Sequence, residues 1–170
     1  MAYPPPRDPT GTDQRSVWDF PRPPALEQWG EEVTVELGGV VIARTGAAYV
    51  VLETSHPPTY YLPPDAFVEG ALRPTAGSSH CEWKGRASYL DLLGGSPVGS
   101  VVAPRAAWAY PDPTPRFAAI ADHVALYPAA VDRCTVDGVE VVPQPGGFYG
   151  GWITPKVSGP FKGGPGTHGW

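Results

Sequence analysis

Three groups of side chains in this sequence could do chemistry. Cys81 and Lys84 come first, in the run His80-Cys81-Glu82-Trp83-Lys84-Gly85. An ammonium beside a thiol favours the thiolate, the reactive form. In a regular strand, positions three apart face opposite sides, so the two groups meet only where Gly85 marks a turn or bulge. The plainer alternative is a half-buried cysteine serving as a small core residue next to a strand-end lysine. His80 points away from its neighbour in a strand and is a poor base for it. Glu53 and His56 form the second group, where a strand gives way to Ser55-His56-Pro57-Pro58. Loops at strand ends commonly carry function. A carboxylate beside an imidazole suits general-base work near neutral pH. The alternative is that Glu53 caps backbone donors while His56 hydrogen-bonds a turn. The third group is aromatic: Tyr60, Tyr61, Trp83, Tyr89, Trp108 and Tyr110. Tyr60 and Tyr61 face opposite sides of their strand, so one of them lines any given pocket, whereas Trp108 and Tyr110 share a face. Such residues bury large areas as ordinary core. At a pocket rim, their hydroxyls and indole N–H suit a small polar ring compound. The catalytic candidates are therefore Glu53, His56, Cys81 and Lys84, and the ligand-binding candidates Tyr60, Tyr61, Trp83, Trp108 and Tyr110.

Other chemistries find little support. Zinc prefers four Cys or His ligands at characteristic spacing. The chain has two cysteines, Cys81 and Cys134, far apart, and four histidines, so neither a metal nor a cofactor is expected. Gly146 to Gly151 is glycine-rich, yet no Gly-Lys-Ser/Thr ending and no helix follows it to cradle a phosphate. Nucleotidyl transfer usually needs paired carboxylates on a metal, and no Asp-x-Asp occurs. No Gly-x-Ser-x-Gly elbow marks a serine hydrolase.

The elements that must position these residues are mostly strands. The 170 residues include 23 Pro and 21 Gly, about twice the usual share. A hydrophobic fraction of 42%, with 6 Trp, 8 Tyr and 5 Phe, nevertheless supplies enough apolar surface to fold. Val33 to Leu37 alternates apolar and polar residues, the period of a half-buried strand. Gly38-Gly39 then predicts a hairpin into Val40 to Arg44, and Asp137-Gly138 predicts a second within Cys134 to Val142. Further strands are expected at Tyr49 to Glu53, Thr59 to Leu62, Cys81 to Leu92 with a bulge at Gly85, Val98 to Val102, and Arg105 to Tyr110. Helix is scarce: two turns from Pro115, capped by Thr114, and one near Asp65. The expected fold is all-β and mainly antiparallel. Its body is sandwich-like, barrel-like or β-tent-like, with one or two short helices and a wrapping, irregular C-terminal segment. Residues 1–15 read as a flexible Pro-rich arm and 16–142 as a single β domain. Residues 143–170 read as a Gly/Pro/aromatic extension, too rich in aromatics to be left in water. It should wrap either its own body or that of a second copy.

A net charge of -5 without a basic block disfavours a nucleic-acid partner, and none is expected. The N-terminal residues lack the pattern of a signal peptide, and no apolar stretch is long enough to span a bilayer. The expectation is a cytoplasmic protein that binds no membrane, with reduced thiols.

Val51 to Asp65, His80 to Tyr89 and Ala107 to Pro113 resemble blocks of the domain-of-unknown-function 427 family. Gly146 to Thr154 and Gly159 to Gly163 look like the extension of its longer members. The resemblance covers roughly Ser16 to Trp170 and implies a mostly antiparallel β domain, similar to the β-tent group. Where members usually read Cys-Pro-Tyr-Lys-Gly, this chain has Cys81-Glu82-Trp83-Lys84-Gly85, which alters the local turn. The resemblance also brings a nucleotidyltransferase label. The expected function is a small-molecule site, binding or enzymatic, with the reaction unassigned. The alternatives are a homodimer joined through the extension, or the transferase that the label implies.

Overall fold

Extended backbone is imposed early. Prolines at 21, 23 and 24 bias their predecessors away from helix. The computed structural model, which describes residues 3–170, places short strands β1 (Arg15–Ser16) and β2 (Ala25–Gln28) on either side of them. In β3 (Val33–Leu37) burial follows the sequence alternation, with Val33, Val35 and Leu37 inside. Gly38 and Gly39 both take positive φ, 64° and 79°, as a type I′ turn requires, and lead into β4 (Val40–Thr45). β5 (Tyr49–Leu52) and β6 (Thr59–Tyr61) join β2 in a three-stranded sheet. β7 (Leu72–Cys81), β8 (Gly85–Gly94), β9 (Val101–Ala109) and β10 (Val124–Leu126) form a four-stranded antiparallel sheet in that order. β11 (Arg133–Val136) turns through Asp137 and Gly138, at φ 49° and 78°, into β12 (Val139–Glu140). Together with β3 and β4 they make a second four-stranded sheet. β13 (Val142–Pro143) pairs with β14 (Trp152–Ile153), and β15 (Val157–Ser158) runs parallel to β1. The fold is therefore mostly β, with several antiparallel sheets and, among the described residues, no closed barrel. The helical pieces are lone 3-10 turns, and among the described residues no helix is long and apolar enough to cross a membrane.

Three local expectations are revised. Cys81 to Leu92 is not one bulged strand: the chain reverses through Glu82, Trp83 and Lys84, and Cys81 sits opposite Gly85 in the β7–β8 hairpin. Gly85 takes φ 107°, which an L side chain resists. The segment from Pro115 is a 3-10 turn interrupted at Phe117, and Thr114 does not cap it. Its hydroxyl donates to the Trp83 carbonyl at 2.6 Å, which ties down the hairpin turn. Val98 lies in a turn, and a single strand, β9, replaces the two expected there. Arg105, within β9, has φ 50°, and the buried Asp91 carboxylate accepts its N–H at 2.8 Å.

The main core runs between the sheets and includes Val17, Val33, Ile42, Leu52, Leu92, Leu126 and Trp152. A second apolar cluster, of Val51, Tyr61, Ala87, Tyr110, Phe117, Ile120 and Ala125, lies under the ends of β5, β6 and β8. Residues 143–170 fold onto the same body. Trp152 is fully buried, stacks on Tyr60 at 4.6 Å, and donates its backbone N–H to Pro58 at 2.8 Å. Phe161 and Trp170 pack against the main core. The Trp18 indole donates to the Pro160 carbonyl at 2.9 Å. From Asp8 onward the N-terminal segment also touches this stretch, through Asp8 N–H to Gly159 O at 3.0 Å and Arg15 N–H to Lys156 O at 2.9 Å.

Candidate functional site

The second apolar cluster forms the floor of a hollow of about 570 Å³. Tyr61 reaches it from β6, Trp108 from β9, and Tyr110 from just beyond that strand. The Trp108 indole donates to the Tyr61 hydroxyl at 3.3 Å. Burial pushes both floor phenols well above the ordinary tyrosine value; for Tyr110 the neighbouring Tyr61 and Cys81 add to the effect. These hydroxyls therefore stay protonated and serve as neutral donors and acceptors.

The β7–β8 hairpin supplies the thiol and the amine. Because the chain reverses between them, Cys81 and Lys84 both border the hollow, which a straight strand would forbid. Lys84 Nζ lies 5.8 Å from the Tyr110 ring centre and 6.0 Å from that of Phe117. The backbone contact Thr114 N–H to Lys84 O, 3.0 Å, steadies the turn. Cys134, the other free cysteine, is a core residue whose thiol burial pushes up.

On the opposite side stands the turn after β5. Ser55 is fully buried at φ 72°, and His56 N–H closes the turn on Glu53 O at 3.0 Å. Residues held in such sparsely populated backbone regions cluster at functional sites. Arg22 clamps the turn, donating to Glu53 Oε2 at 3.2 Å and to Thr54 O at 3.0 Å.

The proton on His56 can be located from its neighbour. Gln144 Oε1 accepts the Gly151 N–H at 3.0 Å, and Gln144 Nε2 donates to the Lys162 carbonyl at 2.8 Å, so the amide orientation is fixed. The same Nε2 lies 3.1 Å from His56 Nδ1, which must accept. The ring proton is then on Nε2, 3.7 Å from Glu53 Oε2. Burial lowers the imidazole to about 4 against the opposing pull of Glu53, with Lys162, Arg22 and Lys84 lowering it further. At neutral pH the ring is uncharged and its Nδ1 lone pair is occupied. The ring also holds the wall, through its bond to Gln144.

The wall itself comes from the extension. Gln144, Gly147, Phe148, Tyr149, Gly150 and Lys162 all border the hollow. Tyr149 meets the His56 ring edge-on at 4.7 Å, and Lys162 Nζ lies 5.6 Å over the Tyr149 ring. Gly150 presses on the Trp108 ring with no room for a side chain between them. Phe148, 77% exposed, rides outside Tyr149. Sequence reasoning anticipated an aromatic wrap but missed Gln144, Tyr149, Lys162, Tyr127 and the Arg22 clamp. Only their place in a segment too aromatic to be free hinted at the first three.

Of the nine candidates, Glu53, His56, Tyr61, Cys81, Lys84, Trp108 and Tyr110 border this hollow. Two do not. Tyr60 points to the far side of β6, buried between Trp152 and Glu31, whose carboxylate accepts its hydroxyl at 2.7 Å. Trp83 packs on the second apolar cluster from outside. Among the described residues, no three His, Cys, Asp or Glu side chains gather as a metal site would need.

Comparison with known proteins adds one match. The family model described as "Domain of unknown function (DUF427)" matches residues 25–137. No curated protein matches the chain.

Proposed function

The chain belongs to the DUF427 family, and from that premise we propose that it binds a small ring compound in the hollow beneath the extension. One observation carries the reading. Seven side chains singled out for their chemistry, scattered between positions 53 and 110, border a single space. In this reading Tyr61, Trp108 and Tyr110 are the flat surfaces that take the ring. Cys81 and Lys84 are the reactive or anchoring groups at one end. Glu53, His56 and Gln144 hold the opposite wall in place. The strained Ser55 turn supports it as well.

The transferase suggested by the family's label is less well supported. Glu53 is the one carboxylate bordering the hollow among the described residues, and Arg22 already engages it. The paired acids of metal-dependent nucleotidyl transfer are therefore missing from this wall. For the homodimer alternative, Trp152 is buried in its own body and Phe161 and Trp170 pack against the main core, an arrangement that supports the wrap within one chain.

The test is a thermal-shift screen of small aromatic compounds. The reading expects a compound that raises the melting temperature of the unmodified protein, an effect lost in Cys81→Ala and in Glu53→Gln while the far-UV spectrum is retained. Hits that persist in both variants place binding elsewhere and overturn it.

A further inference from the structure

We infer that residues 147–150 form a lid over the hollow, which swings as a unit between two fixed ends and is latched shut by Tyr149 against His56. The inference rests on the reading of the hollow as a small-molecule site for its purpose, and on the chain's own contacts for its mechanics. The fixed ends come first. The Gln144 N–H donates to the Gly151 carbonyl at 3.1 Å, and the Gly151 N–H returns to Gln144 Oε1 at 3.0 Å. The Gln144 side chain also holds the Lys162 carbonyl at 2.8 Å. One step outward, β13 and β14 pair Pro143 with Trp152, which is fully buried. Both ends of the loop are thus fastened to the body and to each other.

Between the ends the hold is slight. Among the described residues, no hydrogen bond joins residues 145–150 to any residue beyond the 144–151 loop. Segments whose backbone groups face water and whose apolar contacts are few open at the lowest cost. Gly146 passes against Gly163 with no room for a methyl between them, which makes it part of the hinge. Gly147 follows at φ 75° with open space around it, so the chain can swivel there. Phe148 is mostly exposed and meets the Tyr149 ring at 4.8 Å. The grip comes from Tyr149, whose ring meets His56 edge-on at 4.7 Å with Lys162 Nζ 5.6 Å over its face. His56 is itself held by Gln144 at 3.1 Å, so the latch is tied to the hinge.

The lid has space on both faces. Beneath it, Gly150 lies against the Trp108 ring on the floor of the hollow. On its other side is a second cavity of about 300 Å³, with Pro104, Ala106, Pro128 and Pro143 among its walls. Gly147 and Tyr149 border both spaces. Latched, the Tyr149 ring divides the hollow from its neighbour. Released from His56, it has the second cavity to move into, and the two spaces become continuous. An exposed glycine loop is commonplace. Fastened ends, one aromatic latch, a floor residue directly beneath and room for the displaced ring together describe a lid.

The test is nuclear magnetic resonance on the full chain without added ligand. Relaxation dispersion should show the amides of Gly147, Phe148, Tyr149 and Gly150 exchanging at one shared rate on the μs–ms timescale. The Trp108 indole N–H should exchange at that same rate, and the amides of Gly151 and Trp152 should be silent. Hydrogen exchange of this indole, which donates to the Tyr61 hydroxyl at 3.3 Å and is assigned through Trp108→Phe, reads the opening directly. Tyr149→Ala should speed it by at least about threefold, as loss of an edge-on aromatic pair would. Tyr149→Phe keeps the ring and should leave it unchanged. Tyr149→Leu, which keeps bulk but loses the ring, repeats the measurement should the alanine variant disturb the Trp152 amide. If the loop amides show no exchange or unrelated rates, or the indole does not share theirs, the lid claim falls. If indole exchange is unchanged without the Tyr149 ring, there is no latch and the claim falls as well. No guest enters these measurements, so their outcome is separate from that of the thermal-shift screen, which tests binding itself.

Discussion

Replacing His56 with Gln keeps an amide that can accept from Gln144 and donate toward Glu53, but removes the buried imidazole. The native ring titrates at about 4, against the ordinary 6.5, because burial penalises its charge. The unfolded chain therefore takes up the proton first as pH falls. The stability linked to this ring is fully present above 6.5, erodes below it, and is exhausted once pH passes below the native value. A displacement of this size corresponds to about 3 kcal/mol in full. At about pH 5, where most carboxylates are still ionised, the linkage amounts to about 2 kcal/mol. The side chain is only 12% exposed, so solvent screening takes little from that figure. The assay is urea unfolding of both proteins at about pH 7.5 and about pH 5. Every other titrating group is common to the two and cancels in the comparison. The unmodified protein should lose about 2 kcal/mol more than the variant between those conditions, or about 4–8 °C in melting temperature. Equal losses would refute the argument, as would a His56 ring resonance titrating near its ordinary value.

Three further outcomes are expected. Lys156→Met strips the buried Glu31 carboxylate of its ammonium and leaves it only the Tyr60 hydroxyl. The cost should be about 2 kcal/mol by chemical denaturation, below that of a fully buried pair because the lysine is half exposed. Trp152→Ala empties the stack on Tyr60 and should cost about 3–5 kcal/mol, with faster proteolysis between residues 143 and 170. Gly151→Ala drives a methyl into Pro57 and the Gln144 side chain. It should loosen the wall, so the His56 resonance would move up toward its ordinary midpoint; an unshifted resonance would mean the wall tolerates the methyl.

Much of the strand pattern was legible because local signals carried it. The alternation in Val33–Leu37 and the Gly38-Gly39 and Asp137-Gly138 turns each fix a hairpin without help from distant residues. β7 was missed because Leu72 to Cys81 is largely exposed and polar, with Pro74 inside, so no period marks it; pairing with β8 alone makes it a strand. The Cys81–Lys84 juxtaposition was foreseen as conditional on a turn, and a three-residue reversal meets the condition by a different route from the bulge expected. The opposite faces of Tyr60 and Tyr61 followed from strand geometry, but which one met the hollow did not. Trp152 decides that by stacking on Tyr60, from 92 positions away in sequence. Gln144 and Lys162 act through contacts that only the tertiary path creates, and no local pattern encodes them.

The matched region ends at residue 137, and the stretch that roofs the basin begins after it. The thiol, the hairpin amine and the aromatic floor lie inside the matched region, and the Gln144–Tyr149–Lys162 cover lies outside it. Under the reading proposed above, substitutions in that one strap would reshape the rim of the hollow without replacing any residue of its floor.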